Sequence, residues 1–182
     1  MLSTENSYSL RIASMEDCSI IRTLMDLSIH QLQKDYLSPD QVIASAASMG
    51  LDTQLIEDGT YFTVWCGDTL AGCGGWSRRA TLYGGNHSAG RDLSLLDPKQ
   101  HRGRIRAMYT HPEHAHRGIG RMIIFAAEAA ARAEGFEALE MAATMAGVPF
   151  YLKCGYTIET EWFDTGGSVP VPLATMTKRI TD

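Results

Sequence analysis

A chain of 182 residues, 45% hydrophobic and 20% charged, is long enough to bury a sizeable core and too apolar to be disordered. Its net charge of −5 offers no basic surface for nucleic acid. No run approaches the roughly 18–20 apolar residues of a membrane helix, and the region after Met1 lacks the basic-then-apolar pattern of a secretory leader. Four cysteines (Cys18, Cys66, Cys73, Cys154) have neither metal-finger nor paired spacing, so reduced thiols in a cytoplasmic protein are expected.

Taken in chain order, Tyr8–Ala13 alternates and predicts a strand. Ser14 is placed to cap a helix in which Cys18, Ile21, Leu24, Met25, Leu27 and Ile29 recur near helical spacing to about Gln33. Ser38-Pro39 reads as an N-cap with proline at the first helical position, opening a helix that ends at Gly50. Gly59–Cys66, the turn Gly67-Asp68 and Thr69–Ser77 read as a hairpin. Residues 78–102 contain glycines and little periodicity; a connection of this length is usually functional or disordered. It is expected either to wall or cover a substrate site, or to be a hairpin extension used for packing or dimer contacts.

Residues 103–134 carry the most information. An extended run, Gly103–Thr110, precedes His111-Pro112, then Ala115-His-Arg-Gly-Ile-Gly-Arg121, then an alanine-rich helix to Glu134. The first N–H groups of a helix have no intrahelical partner and carry the positive end of its dipole. Gly118 and Gly120 remove side chains that would keep a ligand from them, and Arg117 and Arg121 add formal charge. Such a site suits a phosphate or pyrophosphate. It is not a Walker loop, because no Lys-Ser/Thr follows Gly120, and not a dinucleotide fingerprint, because Ile123 stands where the third glycine belongs. Beyond it, Glu137–Ala142 reads as a strand, and Tyr156–Phe163 and Val171–Lys178 as a closing pair around Gly166-Gly167. The expected order is β-α-α-β-β-β-α-β-α-β-β.

Ala115-His116-Arg117-Gly118-Ile119-Gly120 resembles the pyrophosphate loop of the GNAT superfamily of acyl-CoA-dependent N-acetyltransferases, Arg/Gln-x-x-Gly-x-Gly/Ala, departing from it at Ala115. Pro149-Phe-Tyr-Leu-Lys-Cys-Gly-Tyr156 resembles that family's Phe-Tyr-x-x-x-Gly-Phe/Tyr signature, in which a helix ends at the glycine. Gly155 suits the left-handed position after a helix. The resemblance covers most of the chain. It implies one α/β (α+β) unit over 1–182: a mixed, twisted, mostly antiparallel sheet flanked by helices, with a splayed central strand pair.

The resemblance also implies roles. Acetyl-CoA would be the co-substrate, with His116, Arg117, Gly118, Ile119, Gly120 and Arg121 on its pyrophosphate. Met108, Tyr109 and Thr110 would lie on its pantetheine arm, where their strand parts from Leu139–Met141. Tyr151 would be the general acid for the departing thiolate. The acid or histidine base that some members of the family place on the strand before the loop is missing, since Arg104 and Arg106 stand there and neither accepts a proton at neutral pH. Glu140 or water is left as the base, unless the amine arrives deprotonated.

For the acceptor, Arg106 is a candidate for a substrate carboxylate or for a salt bridge. Trp76, with Tyr109, is a candidate for the pocket wall or the core. A zinc site needs three or four converging ligands, and His111, His114 and His116 sit in the turn and loop assigned to pyrophosphate, so no metal is expected. The expected activity is acetyl transfer to a primary amine of a small molecule, with no nucleic-acid or membrane partner and a homodimer left open. The alternatives are a non-catalytic acyl-CoA-binding module and an acetyltransferase acting on a protein amine.

Overall fold

The computed structural model describes residues 7–181, so the expectation about the segment after Met1 lies outside them. The elements are β1 (Tyr8–Ile12), α1 (Cys18–Leu32), α2 (Pro39–Ser45), α3 (Thr53–Glu57), β2 (Tyr61–Cys66), β3 (Thr69–Ser77), β4 (Gly103–Thr110), α4 (Ile119–Ala133), β5 (Ala138–Thr144), α5 (Val148–Lys153), β6 (Thr157–Asp164) and β7 (Val171–Arg179). The strands form one seven-stranded sheet in the order β1-β2-β3-β4-β5-β7-β6. Every neighbouring pair is antiparallel except β4–β5, which is parallel. This is the mixed, helix-flanked sheet expected from the sequence.

Local chemistry sets the boundaries. Ser38 accepts from Gln41 N at 3.2 Å while the Gln41 side chain accepts from Ser38 N at 3.1 Å, a reciprocal cap behind Pro39. The helix this cap opens stops at Ser45, short of the expected Gly50, and tightens into turns. Asp52 then caps the five-residue α3 through Gln54 N at 3.1 Å. One and a half turns carry too little periodicity to be read from sequence, which is why α3 was not expected.

The two faces of the sheet are covered differently. On one, α1, α2 and α3 pack Ile21, Met25, Val42 and Leu55 against Tyr61, Cys73 and Tyr109. On the other, α4 and α5 pack Ile124, Ala127 and Tyr151 against Trp76, Ile105, Leu139 and Met141. Burying such large apolar side chains contributes roughly 1.5–3 kcal/mol each. Among the described residues no helix is long and apolar enough to cross a membrane.

Residues 78–102 are ordered by backbone pairing. Ala80 N donates to Ser94 O at 3.0 Å, Thr81 N to Asp92 O at 2.9 Å and Leu96 N to Arg78 O at 2.8 Å. The tip folds onto the segment after α2, where Asn86 N donates to Leu51 O and Ser88 Oγ to Ser48 O.

Candidate active site

β4 and β5 part almost as soon as they meet. Their parallel register holds only Gly103↔Leu139 and Arg104↔Glu140, leaving the rest of β4 without a partner on that side. In the same stretch β4 is bulged against β3. Gly75 pairs with Arg106 and Cys73 with Tyr109, so Ala107 and Met108 together stand opposite Gly74. Ala107 takes φ 51°, a conformation that a side chain rarely adopts.

A bulge keeps two successive side chains on one face. Arg106 reaches Asp52 at the start of α3, Ala107 packs with the α1–α2 cluster, and Met108 turns to the α4 side. The Tyr61 hydroxyl, buried in the core, donates to Ala107 O at 2.7 Å and fixes the distortion. It also lies 3.3 Å from the Cys73 thiol, which burial pushes up to about 12 and so keeps protonated and inert at neutral pH.

The parted strands open into a cavity of about 850 Å³ that runs from the N-terminus of α4 to the α1–α2 side of the sheet. At the α4 end, Gly118 is the N-cap in the left-handed conformation, φ 85°. Its carbonyl accepts Met122 N, the first bond of the helical ladder, so the N–H groups of Ile119, Gly120 and Arg121 stand ahead of that ladder. No side chain caps them. His116, Arg117 and Arg121 are exposed around this terminus, and all but Arg117 line the cavity. Gly120 has a reason the sequence reading did not give. A Cβ there would come within 2.9 Å of Phe150 Cζ, so its bareness seats the α5 ring against α4.

Tyr151 lies on α5, directly behind β5, and its buried ring borders the cavity. It packs edge-on to Tyr156 and against Phe150, and Gly147 leaves room for its ring edge. Burial pushes its hydroxyl above the usual phenol range, which preserves the proton-bearing form. Among the described residues the hydroxyl donates to no protein acceptor.

The model of the acetyltransferase (GNAT) family matches residues 25–156, most of the chain and both glycine-bearing motifs. The chain belongs to that family. Among solved structures it is similar to a GCN5-related N-acetyltransferase from Rhodopseudomonas palustris, at 21% identity over 95% of this chain and 96% of that one, TM-score 0.69. It is also similar to the YncA putative acetyltransferase from Salmonella typhimurium with its cofactor acetyl-CoA (15% identity, 97% and 95% covered, TM-score 0.66). A third is the PaiA N-acetyltransferase from Thermoplasma acidophilum in complex with coenzyme A (16% identity, 95% and 99% covered, TM-score 0.63). Likenesses of this kind show the GNAT fold. No curated protein sequence matches significantly.

The remaining residues singled out in this GNAT chain divide sharply. Met108, Tyr109, Thr110, Ile119 and Gly120 all border the cavity. Arg106 borders it too, but its fork is engaged within the protein. Its Nη2 donates to Asp52 Oδ2 at 3.0 Å and Gly84 O at 2.7 Å, and its Nη1 to Thr81 O at 3.1 Å. Burial lowers the pKa of this guanidinium and Asp52 opposes the shift. Arg91 pairs with the same carboxylate at 2.5 Å. Arg106 is thus in a salt bridge with the residue that caps α3, one of the two arrangements the sequence left open for it.

Trp76 does not reach the cavity. It is 1% exposed, packed edge-on to Phe136 in the α4-side core. Glu140, the side-chain candidate for the base, pairs with Arg104 away from the cavity lining. His111 and His114 stack edge-on at 5.4 Å, with His114 Nδ1 hydrogen-bonded to the Tyr8 hydroxyl at 2.9 Å. Among the described residues no group of three or more His, Cys, Asp or Glu is arranged to hold a metal ion.

Sequence reasoning missed Asp52, Tyr61, Tyr83, Ser48 and Asp164. Asp52 and Tyr61 shape the bulge and the wall from behind it, while Tyr83, Ser48 and Asp164 line the cavity on the α1–α2 side. Each acts through a partner distant in sequence, which no local spacing reveals.

Proposed function

We propose that this protein is an N-acetyltransferase that moves an acetyl group from acetyl-CoA to a primary amine of a small molecule. The observation that carries this reading is the continuity of one cavity from the bare N-terminus of α4, through the β4–β5 opening, to the α1–α2 face. A thioester carried on an anionic handle and a separate acceptor each find an end of it.

In the proposed reaction the amine nitrogen bonds to the acetyl carbon, the carbon–sulfur bond breaks, the nitrogen loses a proton and the sulfur gains one. The residues divide that work. The N–H groups of Ile119, Gly120 and Arg121, with the helix dipole and the Arg117 and Arg121 charges, hold the pyrophosphate. The edge of β4 left unpaired toward β5 at Met108–Thr110 offers backbone donors and acceptors to the pantetheine arm, and in this scheme a backbone N–H near Met108 polarises the thioester carbonyl. Tyr151, kept protonated by burial, supplies the proton to sulfur. No metal enters this scheme. Of the chain's side chains, Glu140 is tied to Arg104, so the amine proton leaves to water or the amine binds neutral.

Incubating the purified protein with acetyl-CoA and a panel of small primary amines, while following free thiol and N-acetylated product by mass spectrometry, tests the proposal. Equal release of thiol and acetylamine supports it. Binding of acetyl-CoA without thiol release would favour a non-catalytic module, and transfer only to peptide amines would move the acceptor to proteins.

A further inference from the structure

Four carboxylates are buried among the described residues: Asp17, Asp52, Glu128 and Asp164. Three of them hold a cation from the protein itself. Asp17 pairs with Arg11 at 2.7 Å, Asp52 with Arg106 at 3.0 Å and Glu128 with Lys178 at 2.8 Å. Asp164 pairs with no lysine or arginine among the described residues. Its oxygens take neutral donors instead: Ser48 Oγ, Gly166 N at 3.0 Å and, at 3.4 Å, the Tyr83 hydroxyl.

Asp164 is also the one of the four that lines the cavity, together with Ser48 and Tyr83. A carboxylate removed from water carries a desolvation penalty that a nearby cation offsets. Here the protein omits the cation at the point where a ligand enters. The aromatic ring of Tyr83, tilted against Trp162 at 5.4 Å, adds a face that attracts positive charge.

We infer that Asp164, Ser48 and Tyr83 form a subsite for a cationic nitrogen of the acceptor, and that the acceptor is a small amine bearing a second basic nitrogen. This rests on the acetyltransferase reading above and names its substrate class. The nitrogen at Asp164 is not the one acetylated. An adjacent carboxylate favours the protonated form of an amine, and a protonated amine has no lone pair with which to attack.

The reacting nitrogen belongs at the β4–β5 opening instead, and β7 supplies the path between the two. Val171 pairs with Asp164, Leu173 pairs with Thr144 at the edge of the opening, and both line the cavity. Two residues along a strand span about 7 Å. That apolar stretch fits a short methylene spacer between two nitrogens. At the α4 end the charged cavity-lining side chains on α4 and α5, Arg121 and Lys153, are cationic, opposite in sign to Asp164 and suited to phosphate.

The test compares α,ω-diaminoalkanes of three to six carbons with n-alkylamines of the same lengths as acceptors. Wild type should show kcat/KM at least about tenfold higher for the best diamine than for its monoamine, the size expected of one charge-assisted hydrogen bond. In Asp164→Asn that ratio should collapse to near one, and Asp164→Glu should keep a preference with a shifted optimum length. Equal kcat/KM for the two series in wild type overturns the subsite without needing any variant, and so does an undiminished preference in Asp164→Asn.

The proposal and the activity fail separately. Transfer to amines without diamine preference removes the subsite and leaves the activity standing. If acetyl-CoA binds but no amine is acetylated, the activity reading fails. Calorimetric titration of 1,4-diaminobutane into the CoA-loaded protein then decides the subsite: binding lost in Asp164→Asn supports it, and no binding to wild type overturns it.

Discussion

The two ends of the cavity are made of different material. At the α4 end His116, Gly118, Ile119, Gly120 and Arg121 line the cavity from one continuous stretch, and the chemistry on offer there is that of the uncapped helix N–H groups. On the α1–α2 side the walls are side chains gathered from separate segments: Ser48 after α2, Tyr83 in the long connection, Arg106 and Tyr109 on β4, Asp164 at the end of β6. A main-chain site depends on backbone conformation and tolerates change in exposed side chains. A side-chain site depends on its supports, here the buried Asp52–Arg106 pair that ties β4 to the Thr81 and Gly84 carbonyls. The difference predicts that substitutions at the first end act on cofactor binding through the backbone, and at the second on the acceptor through packing and charge.

The largest effect should come from forcing side chains onto the main-chain end. Gly118→Val places a β-branched residue at φ 85°, and Gly120→Val drives a Cβ into the Phe150 ring. The double variant should show no measurable acetyl-CoA binding by calorimetry, with circular dichroism verifying the fold. Wild-type affinity would remove the pyrophosphate from this site.

Tyr151→Phe comes next. It keeps the ring and its packing and should lower kcat by about 10²-fold while leaving acetyl-CoA affinity near wild type. Because burial raises the hydroxyl's pKa, the donor form persists above the ordinary phenol range. No fall in kcat below about pH 10 should therefore trace to loss of that proton. A phenylalanine variant with wild-type turnover from pH 6 to 9 would make Tyr151 a packing residue.

Asp52→Asn acts on the supports of the other end. Removing one partner of a buried ion pair leaves an uncompensated charge, a loss of about 3–5 kcal/mol. For a chain of this size the melting temperature should fall on the order of 10 °C. Steady-state kinetics should show the acceptor KM rising more than the acetyl-CoA KM, since the Tyr83–Gly84 wall loosens. A larger effect on acetyl-CoA would break the division between the two ends. The smallest effect is expected of Arg117→Ala. An exposed cation adds a screened attraction, so calorimetry should show acetyl-CoA affinity weakened only a few-fold, with the difference fading at high salt.

What could be read from the sequence follows the same division. The α4 loop, the Tyr151 motif and the order of strands are contiguous patterns: the glycines ahead of a helix singled out Gly118 and Gly120, and the resemblance to the GNAT signature singled out Tyr151. Even there the reason for Gly120 was incomplete, because its contact with Phe150 joins two separate helices. Arg106 shows the limit on the other side. Its place on an extended run was legible, but its partner Asp52 sits at the cap of a helix too short to leave a periodic signal. For Trp76 the core is the default reading of a large aromatic, and its packing edge-on to Phe136 agrees with it. Asp164 carried no signal, since a buried carboxylate without a cation is a three-dimensional fact.

The proposed reaction requires both ends to belong to one continuous transfer site. A compound in which the sulfur of CoA is joined through an acetyl bridge to an n-alkylamine spans that site by construction. If the ends communicate through the β4–β5 opening, it should bind at least about 10²-fold more tightly than CoA by calorimetry, because its second half docks at high effective concentration. Affinity equal to that of CoA alone would contradict the account, leaving the α4 cradle and the α1–α2 pocket as separate sites.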